Sequence, residues 1–125
     1  MSITIRARRP VEASGSAATA VSCHQFIAGQ GAFSFGMAAP LRRLLETHGA
    51  WMYRRVFWEA GLLGQVMYLE AEAAGLRATG IGCYFDDAVH QLFGLRSGDY
   101  PSMYHFTLGG PVDDARLTTL PAYER

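Results

Sequence analysis

Cysteine is scarce in this chain: Cys23 and Cys83 are its two, and no CxxC pair occurs. One disulfide is compatible with that, and two isolated thiols suit a reducing cytoplasm at least as well. The four histidines, His24, His48, His90 and His105, are scattered, with no HxxxH spacing to put two on one helical face. No structural metal site is therefore expected. An excess of charge is also lacking, since 11 basic residues balance 11 acidic ones. Nothing electrostatic points to nucleic acid or an anionic membrane surface. Arg6, Arg8, Arg9, Arg42 and Arg43 come in small clusters of the kind found on solvated surfaces.

Long hydrophobic runs are absent as well. The richest stretch, Val56 to Ala74, is interrupted by Glu59, Gln65, Glu70 and Glu72, short of the roughly 18 apolar residues a membrane span needs. The N-terminus lacks the uninterrupted apolar segment of a secretory signal, and its Arg-, Ser- and Ala-rich start has only a faint transit-peptide character. The chain reads as soluble and cytoplasmic. What it has in quantity is apolar side chains, half of its 125 residues, enough for one domain with one core.

The composition divides the chain into a flexible leader or linker over 1–18, with at most one short edge strand, and a domain over 19–125. A short helix is expected from Thr19 to Ala28, closed by Gly29. Phe33, Phe35 and Met37 alternate with smaller residues, which predicts a strand with one face in the core. Pro40 opens a helix whose Leu41, Leu44, Leu45 and His48 follow at helical spacing before Gly49. The strongest element spans Tyr53 to Ala74. Val56, Ala60, Leu63, Met67, Ala71 and Ala74 form one stripe, and Leu62, Val66, Leu69 and Ala73 an adjoining one. A helix apolar over so much of its circumference is expected to be buried on more than one side. Gly61 and Gly64 inside it each cost about 1 kcal/mol against alanine, which suggests a close approach by another backbone or a flat ligand. Gly75 ends it. An extended segment from Leu76 to Phe85, an Asp86-capped helix closed by Gly94, and a strand from Ser102 to Leu108 complete an α+β pattern.

The run from Gly49 to Leu95 carries a resemblance. Tyr53-Arg54 with Glu59-Ala60-Gly61, the helix from Gln65 to Gly75, Thr79-Gly-Ile-Gly82 with Phe85-Asp-Asp, and Tyr104 to Gly109 occur in one order and spacing. Together with the tail from Asp114 to Tyr123, they resemble the C-terminal half of a nitroreductase-fold domain, specifically the SagB-type dehydrogenases that oxidise azolines in peptide natural products. The resemblance implies a three-layer sandwich with a small antiparallel sheet and a long buried central helix. It also implies a homodimer, or a second chain supplying the missing half, with FMN at the subunit interface and a small-molecule or peptide substrate. Backbone of Gly80, Ile81, Gly82 and Cys83 would approach the flavin N5 and O4 edge, where only small side chains leave room.

The family's arginine-serine-arginine segment for the FMN phosphate is missing, and Arg6, Arg8 and Arg9 lack its serine spacing. Arg116 and Arg125 in the tail are the remaining phosphate candidates. Thr47-His48 stands where azoline-oxidising members have a lysine-tyrosine pair; His48 is the catalytic candidate, with a helix-flank role as the plainer reading. Cys83 is expected as a small buried residue rather than a reactive thiol, Asp86-Asp87 as helix-capping acids, and Trp51, Tyr53, Phe57 and Trp58 as core or dimer interface. Three functions compete: an FMN-dependent oxidoreductase, a non-catalytic scaffolding subunit of a peptide-modifying complex, and a truncated product whose partner sequence lies upstream.

Overall fold

Side chains alternate across a strand, so two strands pairing through their large residues build one apolar face between them. The computed structural model, which describes residues 4–8, 12–95, 98–118 and 120–123, is organised around that pairing. Its elements in chain order are β1 (Thr4–Arg8), α1 (Glu12–Val21), α2 (Ile27–Gln30), β2 (Phe33–Ala38), α3 (Leu41–His48), α4 (Met52–Ala73), β3 (Arg77–Ile81), α5 (Asp86–Phe93) and β4 (Ser102–Gly109). The strands form one sheet in the order β1-β2-β4-β3, each neighbouring pair antiparallel.

Phe35 faces Phe106, Met37 faces Tyr104 and Gly80 faces Phe106 on one side of the sheet. Against that side packs α4, through Met52, Val56, Ala60 and Ala71, with Leu41, Leu44 and Leu45 of α3 at its edge. Phe106, Met37, Val56 and Val89 are the largest fully enclosed side chains; each such burial contributes about 1.5–3 kcal/mol. The opposite side carries Ser34, Gly36, His105 and Thr107. Here α2 is fastened by the Thr107 hydroxyl donating to the Ile27 carbonyl at 3.2 Å and by the Ser34 hydroxyl donating to the Ala28 carbonyl. Next to them, α5 brings the Phe93 ring to Gly36, where an added Cβ would lie 3.1 Å from it. The result is an α+β three-layer sandwich.

Of the two apolar stripes of α4, only the first is buried. Trp58, Leu62, Val66 and Leu69 lie on roughly the opposite side of the helix and are exposed, Trp58 to 68% and Leu62 to 65%. Its glycines divide the same way. At Gly64 an added Cβ would lie 2.7 Å from the Tyr104 ring and 3.0 Å from the Phe106 ring, whereas at Gly61 it would meet nothing within 4 Å. The close approach expected at both is made at Gly64 alone. Gly75, at φ 71°, terminates the helix as its conformational freedom allows.

The N-terminal region departs most from the sequence reading. The stretch 1–18 contains β1, the short edge strand its composition allowed, paired with β2, and also the greater part of α1, which it did not announce. The helix expected from Thr19 to Ala28 is instead α1, a turn, and α2. Cys23 and His24 break it, at φ 53° and 59°, a left-handed region that non-glycine residues seldom enter. Gly29 is no helix cap; it lies inside α2, where a side chain would strike the Gly15 carbonyl and the Thr19 hydroxyl of α1. Asp86 is the first residue of α5 rather than its cap. Phe85 holds the cap position with no side-chain bond, and the two aspartates act on the helix dipole.

Candidate functional site

The long helix α4 returns through Gly75 into β3, and β3 delivers the segment 80–83 to the end of the sheet. Of the four residues expected there, two are occupied by the fold itself. The Gly80 amide donates to the Tyr68 hydroxyl at 2.8 Å, and any side chain at Gly80 would overlap the Tyr104 hydroxyl. Ile81 is 3% exposed and pairs with His105. These two residues hold the segment in place. Gly82 is exposed, and a Cβ built on it would meet nothing within 4 Å. Cys83 is exposed, its carbonyl accepts the Gln25 side-chain amide at 3.2 Å, and its sulfur is bonded to Cys23. The expectation of a small buried thiol at Cys83 is therefore corrected: a disulfide joins residues 60 apart in sequence, with Cα atoms 5.8 Å apart.

Beneath this segment lies a polar spot in the β4 face. Tyr84 stacks on His105 with ring centroids 4.1 Å apart, and its hydroxyl donates to the Ser102 carbonyl at 3.2 Å. His105 is buried, and its Nε2 has no hydrogen-bond partner among the described residues. Burial disfavours its charged form and lowers its pKa from 6.5 to about 4. Burial, then the charge of Asp86, raises the Tyr84 phenol. On the other face burial, then the neighbouring Tyr68 hydroxyl, raises that of Tyr104. All three rings stay neutral at pH 7.

The His105 shift makes stability depend on pH. The unfolded chain takes up its proton near 6.5 while the folded chain resists to about 4, so its contribution is intact above 6.5 and is lost as pH falls through that window. The loss amounts to about 3 kcal/mol by pH 4. Urea unfolding at pH 7 and pH 4.5, on the wild type and on His105→Phe, should show the wild type losing more stability than the variant. Equal losses would dismiss the assignment.

The remaining candidates are dispersed. His48 is exposed at the C-terminus of α3. The Arg116 guanidinium is engaged by Asp114 through Nε at 2.8 Å, holding the Asp114 carboxyl below its usual range. Arg125 lies outside the described residues, as does Arg9. Trp51, Tyr53, Phe57 and Trp58 are all exposed, so core packing is not their role. Among the described residues no three His, Cys, Asp or Glu side chains gather to hold a metal, and no helix is long and apolar enough to cross a membrane. Sequence reasoning missed Tyr68 and Gln25, the side chains that fix the segment from α4 and from the turn before α2. Nothing in their spacing announces them, since each acts across a tertiary contact.

A family model described as the Nitroreductase family matches residues 6–110. No curated protein matches the chain. Among solved structures, one described as a nitroreductase from Anabaena variabilis is 28% identical, with 78% of this chain and 20% of that one covered and a TM-score of 0.73. NfrA1 of B. megaterium is 16% identical over 98% of this chain and 54% of that one, with a TM-score of 0.75. A structure described as a nitroreductase in complex with FMN, from Exiguobacterium sibiricum, is 15% identical over 95% of this chain and 72% of that one, with a TM-score of 0.69. The chain thus spans a fifth of the Anabaena protein and about half of NfrA1.

Proposed function

This chain belongs to the nitroreductase family, and from that premise we propose that it is the C-terminal part of an FMN-dependent oxidoreductase of the SagB type. The observation that carries this reading is the open backbone at Gly82, at the end of a strand whose preceding residues are fixed by Tyr68 and His105. A flat ring can approach a backbone edge only where no side chain intervenes, and Gly82 is such a place. Bound FMN would supply hydride transfer between a donor and a small-molecule or peptide acceptor. The protein's part is positional. Gly82 and Cys83 present main chain to the ring, and Tyr68 and Ile81 keep that main chain still. Tyr104 forbids any side chain at Gly80.

The outward stripe of α4 belongs to the same reading. Trp58, Leu62, Val66 and Leu69, with Trp51 beside them, form an exposed apolar surface along a 22-residue helix, and such a surface on a soluble chain marks an interface. We assign it to a second copy of the chain, or to a chain that supplies the rest of the cofactor site, in the cytoplasm.

The experiment is Gly82→Val. A Cβ at Gly82 meets nothing within 4 Å, so the variant should melt within about 1 kcal/mol of the wild type while FMN affinity falls at least tenfold by fluorescence titration. Unchanged affinity would remove Gly82 from the site. One observation favours a second reading, a non-catalytic scaffolding subunit: Arg116 and the Gly80 amide, both expected on the flavin, are engaged inside the chain. That protein would be equally folded and would bind no FMN.

A further inference from the structure

The Cys23–Cys83 bond joins the segment just described to the turn between α1 and α2, and it is not alone in doing so. The Phe85 amide donates to the Val21 carbonyl at 2.8 Å, the Gln25 side chain donates to the Cys83 carbonyl at 3.2 Å, and the His24 ring meets the Phe85 ring edge-on at 5.9 Å. Residues 83–85 are thus docked on residues 21–25 by one covalent bond and three weaker contacts. Their setting is open apart from Tyr84, which stacks on His105: Cys83, Phe85 and His24 are exposed, and Gln25 is part-buried. Hydrogen bonds shared with water hold such a contact weakly. The turn itself is strained, because Cys23 and His24 both sit at positive φ, a conformation that persists only when its surroundings enforce it.

The geometry points to a redox latch: the Cys23–Cys83 disulfide ties Cys83 and its neighbours to the α1–α2 turn, and its reduction by a dithiol loosens that segment, leaving Tyr84 held by His105 and the Ser102 carbonyl. A thiolate of the reductant attacks the Cys83 sulfur, forming a mixed disulfide and expelling the Cys23 thiolate, which takes up a proton. The second thiol of the reductant then displaces the Cys83 thiolate, which is protonated in turn, and leaves as a cyclic disulfide. Two electrons and two protons pass from reductant to protein. In a reducing compartment an exposed disulfide of this kind responds to redox state rather than serving as a permanent staple. Resting on the flavin reading, the consequence is control of cofactor affinity: the main chain after Ile81 that is assigned to the ring is tethered when oxidised and looser when reduced.

Limited chymotrypsin digestion reads the latch without any flavin, because the exposed Phe85 lies two residues from Cys83. Reduction with dithiothreitol should speed cleavage there about tenfold, and Cys23→Ser/Cys83→Ser should be cut at the fast rate with or without reductant. Far-UV circular dichroism on each sample confirms that the fold persists. Equal cleavage rates in oxidised and reduced protein, or two titratable thiols in the native oxidised protein, would overturn the latch. FMN titration of both states separates the two ideas. A redox-dependent cleavage rate with no FMN bound in either state keeps the latch and sinks the flavin reading. Equal FMN affinity with equal cleavage does the reverse.

Discussion

Gly64→Val is expected to destabilise the chain by about 3 kcal/mol or more, while Gly61→Ala, three residues earlier on the same helix, should stabilise it by up to about 1 kcal/mol. The difference lies in what each position faces. A Cβ at Gly64 would lie 2.7 Å from Tyr104 Cε1 and 3.0 Å from Phe106 Cε2. Those rings cannot both retreat, because they pack edge-to-face at 5.3 Å, and Phe106 is fully enclosed between α4 and the sheet. The helix would have to lift off β4, exposing Val56 and Ala60 with it. At Gly61 nothing stands within 4 Å, so alanine only removes backbone freedom from the unfolded chain. Urea midpoints of the two variants decide the matter, and a neutral Gly64→Val would mean that α4 does not pack where described.

The second large effect is that of the crosslink on global stability. The disulfide closes a loop across a sequence separation of 60, and the chain-entropy estimate for a loop of that length is about 4 kcal/mol. Single domains of this size are stable by roughly 5–15 kcal/mol in total. Replacing both cysteines with serine should therefore lower the urea midpoint by a large fraction, and adding reductant to the wild type should lower it equally. A variant as stable as the oxidised wild type would show that the unfolded chain gains no freedom from losing the bond.

How much of this was legible in the sequence depended on whether the signal was local. The period of two at Phe33, Phe35 and Met37, the helical spacing from Val56 to Ala71, and the terminating Gly75 and Gly94 each act within one element. The structure reproduces those elements to within a residue or two at most boundaries. β1 was legible as at most one short edge strand, and α1 was hidden, because both rest on partners far along the chain: β2 for the strand, and the Gly15–Gly29 crossing for the helix. The outward stripe of α4 was legible as apolar, while what covers it was not. Apolar periodicity reports that a face avoids water, and cannot distinguish its own sheet from another chain. At the candidate site, the glycines marked a segment whose backbone is open at Gly82 and closed at Gly80. The tyrosine that occupies Gly80 and the cysteine that fastens residue 83 come from 12 and 60 positions away, and no pattern in the intervening residues encodes those meetings.

The most direct test of the central claim is to add FMN to the purified protein, pass it through gel filtration, and record the visible spectrum and the size of the eluted peak. The account predicts a yellow protein eluting at twice the monomer mass, with flavin retained and the apolar stripe of α4 covered. A folded monomer that emerges colourless would contradict it, leaving a member of the family that has kept the fold without the cofactor.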